Sequence, residues 1–500
     1  MKINFVTQST MQYNSVVHLT ILTYMKKKNW NLPVATIAYS YLFYSQTAGV
    51  NYLLFTVLLI ALLTFQKERR EMLNRNWLIT AFACLISAFS VVVVNSGLSI
   101  LANVISLALL AVFSTAPSAS IFYAALYAIW SLIAAPVKAL MVSKDSTQEQ
   151  QLATLSFVPT SKHRISVVGL PLVIFFLFLW LYKNSSMGFE HVLSFINFDF
   201  ISWPWVWFTL FGAWLLVCFF RPLILTKLAK VDELAPNHLC RVKKYAQRVF
   251  NTMALKNELK TGVLLLALLN GLLFVFILSD AYYLFIGDLP EGIPYSEYLH
   301  QGVYTLIFTI LLAIAILLYL FRENLNFYSK NQSLKKLAYV WLGLNMVLVL
   351  LTLTKNSIYI TGTGLTYKRI GVYTYLILTG IGLIFSYIKV SKVKTNWYLF
   401  RMNGWAVYVL LVVFSTVNWD RVLTRFNLTY AKSPDLAYLF TLSNSNLSLL
   451  KEDIALSRHA FTDNQKKSLA EWELEYLRGE AQKEWQSWNY NDWRLSNELR

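Results

Sequence analysis

The chain has 500 residues, of which 56% are hydrophobic and only 14% are charged, and its mean hydropathy is +0.48. Soluble globular proteins carry about 25% charged residues, so this composition excludes a soluble fold and predicts an integral membrane protein. The net charge of +18 comes from residues 1–419, a placement typical of membrane loops rather than of a nucleic-acid-binding protein.

The N-terminus does not have the order of a secretory signal peptide. Lys26, Lys27 and Lys28 follow the first apolar stretch instead of preceding it, as at the start of an ordinary bacterial membrane protein. We therefore predict three regions. Residues 1–24 are either a disordered leader or a segment included because the translation start is assigned too far upstream. Residues 25–419 are a polytopic transmembrane domain, and residues 420–500 are an extracytoplasmic helical tail.

Eleven apolar runs are long enough to approach the roughly 20 residues that a membrane-spanning helix needs. They are 48–65, 77–95, 98–115, 119–137, 163–182, 202–220, 260–279, 302–321, 336–354, 370–388 and 397–417, with a shorter piece at 33–45. The runs are continuously apolar rather than alternating, which favours helices over barrel strands. The predicted fold is an all-α bundle of about 11 transmembrane helices.

The loops indicate the orientation of this bundle. Residues 221–258 hold eight basic and three acidic residues, which is typical of a cytoplasmic loop, whereas 280–301 has acidic residues and no Lys or Arg. We predict an internal N-terminus, an external C-terminus and a bacterial cytoplasmic (inner) membrane location. Two alternatives stay open near the N-terminus: either 119–137 is re-entrant or interfacial, or 33–65 crosses once and 66–76 is external.

Few residues in this chain suggest catalysis or metal binding. The three cysteines show no CxxC spacing and the six histidines no helical pair, so we predict neither metal nor cofactor. Arg401 is the only charged residue well inside a run, and Asn103 and Asn270 are expected to form helix-packing hydrogen bonds. The external carboxylates Asp280, Asp288 and Glu291 would be an enzyme's candidates, although a solvated loop is the simpler interpretation.

The tail is predicted to be helical. Ser433-Pro434 and the Thr462–Gln465 capping box both mark helix starts. About 80 residues make a marginal core, so we expect the tail's aromatic side chains to pack against the membrane interface or the protein's own loops.

The stretch 355–369 is the strongest candidate for a binding site. It is a short, basic, predicted external loop whose glycines allow a tight turn and whose threonines supply donors, next to a helix that begins near Lys368. Such a loop suits an anionic group such as a phosphate or lipid headgroup. The simpler interpretation is a plain turn with two basic residues capping the helix. The candidate anion-binding residues are Lys355, Thr361, Gly362, Thr363, Gly364, Thr366, Lys368 and Arg369.

Four motifs between residues 280 and 445 resemble those of a known family. They are Tyr359 with Gly364-Leu365-Thr366 and Arg369, Tyr295-Ser-Glu-Tyr with Gly302 and Leu306, Asn418-Trp-Asp with Arg425 and Asn427, and Asp435-Leu-Ala-Tyr438. The chain thereby resembles bacterial polytopic membrane proteins of the domain-of-unknown-function 4153/4173 group, despite departures at Val303, Thr424 and Phe426. That group has no established activity. The resemblance implies that the Gly364–Arg369 loop lies beside Arg425 and Asn427.

These observations favour a non-enzymatic accessory, structural or sensing component of the bacterial cell envelope. Its expected partners are the lipid bilayer, an anionic lipid, and an envelope protein bound through the tail. The alternative is a transporter or flippase for an anionic, lipid-like substrate, and the third interpretation is a membrane-embedded transferase acting on lipid-linked substrates.

Overall fold

The computed structural model describes residues 30–66, 74–141, 202–240, 252–286, 303–322, 324–432 and 434–499, with isolated positions between 174 and 185. Within these residues the fold is helical and contains no strand, apart from a single bridge between His238 and Lys394. The predicted all-α class is confirmed for this part of the chain. The proposed leader at 1–24 and Gly302 lie outside the described residues.

The helices fall into three consecutive groups. The first is α1 (Asn31–Phe43), α2 (Val50–Gln66), α3 (Arg75–Val94), α4 (Gly97–Phe113), α5 (Ile121–Met141), α6 (Trp203–Phe220) and α7 (Thr226–Leu234). The second is α8 (Thr252–Phe285), α9 (Val303–Leu320), α10 (Gln332–Thr363), α11 (Tyr367–Ser391) and α12 (Asn396–Ser415). The tail holds α13 (Trp419–Tyr430), α14 (Leu436–Leu439), α15 (Leu447–Ala455), α16 (Asp463–Ala481) and α17 (Tyr490–Leu499).

Six helices of the described chain are long and apolar enough to cross a membrane. They are Arg75–Val94, Trp203–Phe220, Leu255–Phe285, Gln332–Thr363, Tyr367–Ser391 and Asn396–Ser415. Four shorter apolar helices are Val50–Phe65, Gly97–Phe113, Ile121–Pro136 and Leu306–Leu320. Each of these ten coincides with a predicted apolar run, while most of the run at 163–182 lies outside the described residues.

The first two helices bear on the alternatives at the N-terminus. Residues 33–65 form two antiparallel helices, because the Asn31 amide at the start of α1 donates to the carbonyl of Leu62 near the end of α2, at 3.1 Å. The stretch 33–65 therefore turns back on itself within the protein, and of its two helices only Val50–Phe65 is among the apolar helices named above. In α5, the hydroxyl of Ser131 accepts from the backbone of Leu223, just beyond the end of α6, at 2.8 Å. Ser131 is halfway along α5, so α6 ends beside the middle of α5, and both alternatives for 119–137 stay open.

Two of the helices are longer than their apolar runs predict. Helix α10 continues from Lys355 to Thr363, and α8 continues from Asp280 to Phe285. The predicted external loop 355–369 is therefore wrong for its first nine residues. The turn between α10 and α11 consists of only Gly364, Leu365 and Thr366.

The core of the bundle divides into two clusters that follow these groups, except that α12 packs with the first group. One buried apolar cluster joins α1–α6 with α12 and includes Phe113 and Tyr127, and a second joins α8–α11 and includes Phe321 and Leu376. Asn103 and Asn270 link neighbouring helices as expected, through bonds of 3.2 Å to the Cys84 carbonyl and 3.0 Å to the Leu337 carbonyl.

The tail folds back on one end of the bundle, here called the tail end. Helices α13–α17 share a core of their own that includes Leu450, Leu469 and Leu495. The predicted Thr462–Gln465 capping box is present. The backbone of Trp488 accepts from Val50 at 2.8 Å, so the tail packs against the protein's own α1–α2 loop. The side chains of Trp485, Trp488 and Trp493 are exposed, so the expected packing of the aromatic side chains stays a prediction.

Candidate functional site: the α10–α11 turn and a buried ion pair

The turn between α10 and α11 is held by an asparagine of the tail. The side chain of Asn427 on α13 accepts from the backbone nitrogen of Leu365 at 2.5 Å and donates to its carbonyl at 2.8 Å. Gly364 ends α10 with φ +88°, and a Cβ there would lie 2.6 Å from the Asn427 amide oxygen. Both the backbone angle and the close approach require glycine at this position.

Arg369 closes the same turn from the α11 side. Its guanidinium donates to the carbonyl of Gly364 and lies over the ring of Tyr359, 4.3 Å from the centroid. The carbonyl of Arg369 in turn accepts from the Asn356 side chain at 3.3 Å. The Arg369 guanidinium is therefore directed at a carbonyl and an aromatic face within the protein.

The tail contributes two further contacts to the turn. The hydroxyl of Tyr438 accepts from the backbone of Tyr367 at 3.1 Å, and Asp435 caps the short helix that carries Tyr438. The hydroxyl of Tyr367 donates to Asp420 at 2.5 Å. Three of the family-motif residues, Asn427, Asp435 and Tyr438, thus act together to fasten the tail to the end of α10.

A buried ion pair lies below this turn, inside the helix bundle. The ammonium of Lys355 on α10 bonds to the carboxylate of Asp280 on α8, and the two residues are only 4% and 8% exposed. Lys355 is nine residues before Gly364, which is about 13 Å along a helix. Charged residues buried within membrane helices are costly, and such a pair is a default candidate for function.

Sequence reasoning did not find this pair. It assigned Asp280 and Lys355 to external loops, because each follows directly after an apolar run. The signal that would have placed them in helices is the apolar stretch after each residue, Ala281–Phe285 and Ile358–Ile360, which continues the helix past the charge.

The remaining predicted residues do not form one anion-binding cluster. Lys355 is buried with Asp280 and cannot also face the turn. The hydroxyls of Thr361 and Thr363 donate to carbonyls of their own helix, those of Ile358 and Tyr359, both at 2.8 Å. Gly362 lies within α10. The carbonyl of Thr366 accepts a hydrogen bond from the backbone nitrogen of Arg369 at 3.0 Å. Lys368 and Arg425 are exposed.

The polar groups of this region therefore lie in two sets along α10. One set joins the α10–α11 turn to the tail through Asn427 and Tyr438, and the other is the Asp280–Lys355 pair, about 13 Å below it. Within the described residues, no three metal-ligating side chains come together.

The helices and the docked tail define the class of this protein: a multi-pass, all-helical membrane protein. Its folded tail, α13–α17, is called the cap from here on. Its sequence matches the family described as "Domain of unknown function (DUF4153)" over residues 32–452, and the chain belongs to that family. The match covers the turn and its three tail contacts and ends within α15. No curated protein and no solved structure matches the chain.

Proposed function

We propose that this protein is a non-enzymatic accessory or sensing component of a bacterial cytoplasmic membrane, with its helical cap on the external face. The observation that carries the proposal is the cap itself. It has its own apolar core, and it is fastened to the bundle at the α10–α11 turn and at the α1–α2 loop. A cap held at two separate places is suited to transmit the binding of a partner to the membrane helices.

The distribution of charge supports this orientation. The end of the bundle opposite the cap carries many basic residues, among them Arg75, Lys335, Lys336, Lys389, Lys392 and Lys394. By the positive-inside rule this end is cytoplasmic, which puts residue 31 inside and the cap outside.

A transporter or flippase for an anionic, lipid-like substrate is the second candidate. One observation favours it: the Asp280–Lys355 pair is buried between the two longest helices, where transporters keep charged groups. Lys368 is exposed at the start of α11, near the turn above this pair, and would meet an anionic headgroup.

Proteoliposomes distinguish the two candidates. For an accessory protein, we expect headgroup-labelled anionic lipid to cross the bilayer no faster than in protein-free vesicles, and a stoichiometric protein partner to co-purify from native membranes. A Lys368→Gln variant should retain that partner. Labelled lipid that crosses rapidly, and about fivefold more slowly with Lys368→Gln than with the matched exposed-site variant Lys432→Gln, would overturn the proposal in favour of the flippase.

A further inference from the structure

The N-terminal helices line a partly open cavity to which the α10–α11 turn contributes no residue. Its volume is about 460 Å³, and it lies between α1, α2, α4, α5 and α6. The walls are mainly apolar and aromatic, with Tyr39, Phe55, Leu107 and Leu216 among them. It extends along α6 from Phe208 to Phe219, which is about 16 Å of helix. A long, apolar cavity of this size within membrane helices suits a hydrocarbon chain.

A second space, a polar groove of about 620 Å³, lies between the tail and the α1–α2 loop. Three carboxylates and one ammonium line it, those of Glu475, Glu480, Glu484 and Lys483, together with the indole of Trp472. Lys483 already bonds to Glu480 and, at 2.6 Å, to Asp492. Burial lowers the pKa of Lys483, but these two hydrogen bonds outweigh burial and raise it, so its charge stays engaged within the protein.

The remaining carboxylates give the groove an acidic character. Glu475 and Glu484 are exposed, and no residue of the described chain forms an ion pair with Glu475. Carboxylates beside an indole face attract ammonium groups by charge and by cation–π interaction. A headgroup with negative charge alone would be repelled by the same carboxylates.

The two spaces meet at one residue. Gln46, in the loop between α1 and α2, lines both the apolar cavity and the polar groove. Its amide nitrogen donates to Glu484 at 2.9 Å, and its amide oxygen accepts from the hydroxyl of Ser487 at 2.7 Å. A molecule with an apolar chain and a polar head would therefore find matching surroundings on the two sides of Gln46.

We propose that the cavity and the groove together form a binding site for a membrane lipid with an ammonium-bearing headgroup. The acyl chain lies in the cavity between α1 and α6, the headgroup passes Gln46, and its ammonium lies against Glu475, Glu484 and Trp472. This site is independent of the role proposed above, since an accessory protein and a flippase could each carry it.

Competitive lipid retention tests this site. Full-length protein is delipidated in detergent, incubated with equal amounts of phosphatidylethanolamine and phosphatidylglycerol, and analysed by native mass spectrometry. We expect the wild type to retain phosphatidylethanolamine preferentially. Ala108→Phe, which fills the cavity, should reduce retention of this lipid about tenfold or more. The same substitution at the exposed Ala267 on α8 should leave retention unchanged.

A second pair of variants tests the headgroup without altering the core. Glu475→Gln combined with Glu484→Gln should reduce the preference for phosphatidylethanolamine about three- to tenfold, because both side chains are exposed and their charge is the only change. Glu471→Gln, outside the groove, serves as the control. Equal retention of the two lipids by the wild type, or equal retention by the Ala108→Phe and Ala267→Phe variants, would overturn the proposal.

Discussion

Replacing Lys355 with Met is expected to lower the free energy of unfolding by about 3–5 kcal/mol, the usual cost of leaving a buried charge without its partner. The carboxylate of Asp280 would then remain 8% exposed between α8 and α10 without the ammonium that compensates it. Asp280→Leu should have a similar effect, since it leaves the buried Lys355 ammonium without the Asp280 carboxylate. Thermal or denaturant unfolding of the purified protein in detergent measures both.

The double variant shows whether the pair acts as a unit. With both charges replaced by apolar side chains of similar volume, neither member of the pair is left as a buried charge, and the stability should recover to within about 1–2 kcal/mol of the wild type. Lys368→Met, a matched change at an exposed lysine, should alter stability by less than about 0.5 kcal/mol. Single variants as stable as Lys368→Met would show that the two charges are not buried together.

Replacing Gly49 with Ala is expected to loosen the attachment of the tail to the bundle. A Cβ at Gly49 would lie 2.5 Å from the Trp488 carbonyl oxygen and 2.6 Å from the backbone of Ser487. Since these neighbours are backbone atoms, either the α1–α2 loop or the Trp485–Ser487 segment must move. We expect a cost of about 1–3 kcal/mol for this overpacking and cleavage of the tail by trypsin at a concentration that leaves the wild type intact.

Gly97 offers a matched control for this experiment. It also lies at the tail end, at the start of α4, but a Cβ there would meet no other atom within 4 Å. Gly97→Ala should therefore keep the tail as resistant to trypsin as in the wild type. Equal resistance of the Gly49→Ala variant would contradict the docking of the tail on the α1–α2 loop.

Sequence alone could predict much of this fold because membrane helices depend on a local property. A run of apolar residues is visible without knowledge of its neighbours, and ten of the eleven predicted runs coincide with apolar helices of the described chain. Helix ends were less predictable. A charge such as Lys355 normally marks the end of a span, but here α10 continues past it, and Lys355 pairs with Asp280, 75 positions away in the sequence.

The candidate site was predictable only in part, because its contacts join residues that are distant in the sequence. Family motifs associated the Gly364–Arg369 loop with Arg425 and Asn427. Asn427 contacts the turn, whereas Arg425 is exposed, and the motifs did not indicate the chemistry of the contact. Arg369 looked like an anion-binding residue because its sequence neighbours are basic and small. Its actual acceptor, the Gly364 carbonyl, becomes available only once the glycine has turned the backbone. The cavity and groove meeting at Gln46 left no sequence signal, since they join residues from distant parts of the chain.

The placement of the helical cap outside the membrane is tested most directly by topology fusions. Alkaline phosphatase and green fluorescent protein are fused in turn after Arg500, which follows α17 in the sequence, and after Lys330, which lies at the basic end between α9 and α10. We predict phosphatase activity without fluorescence after Arg500, and fluorescence without phosphatase activity after Lys330. Fluorescence after Arg500 would place the cap in the cytoplasm and contradict its proposed role at the outer face of the membrane.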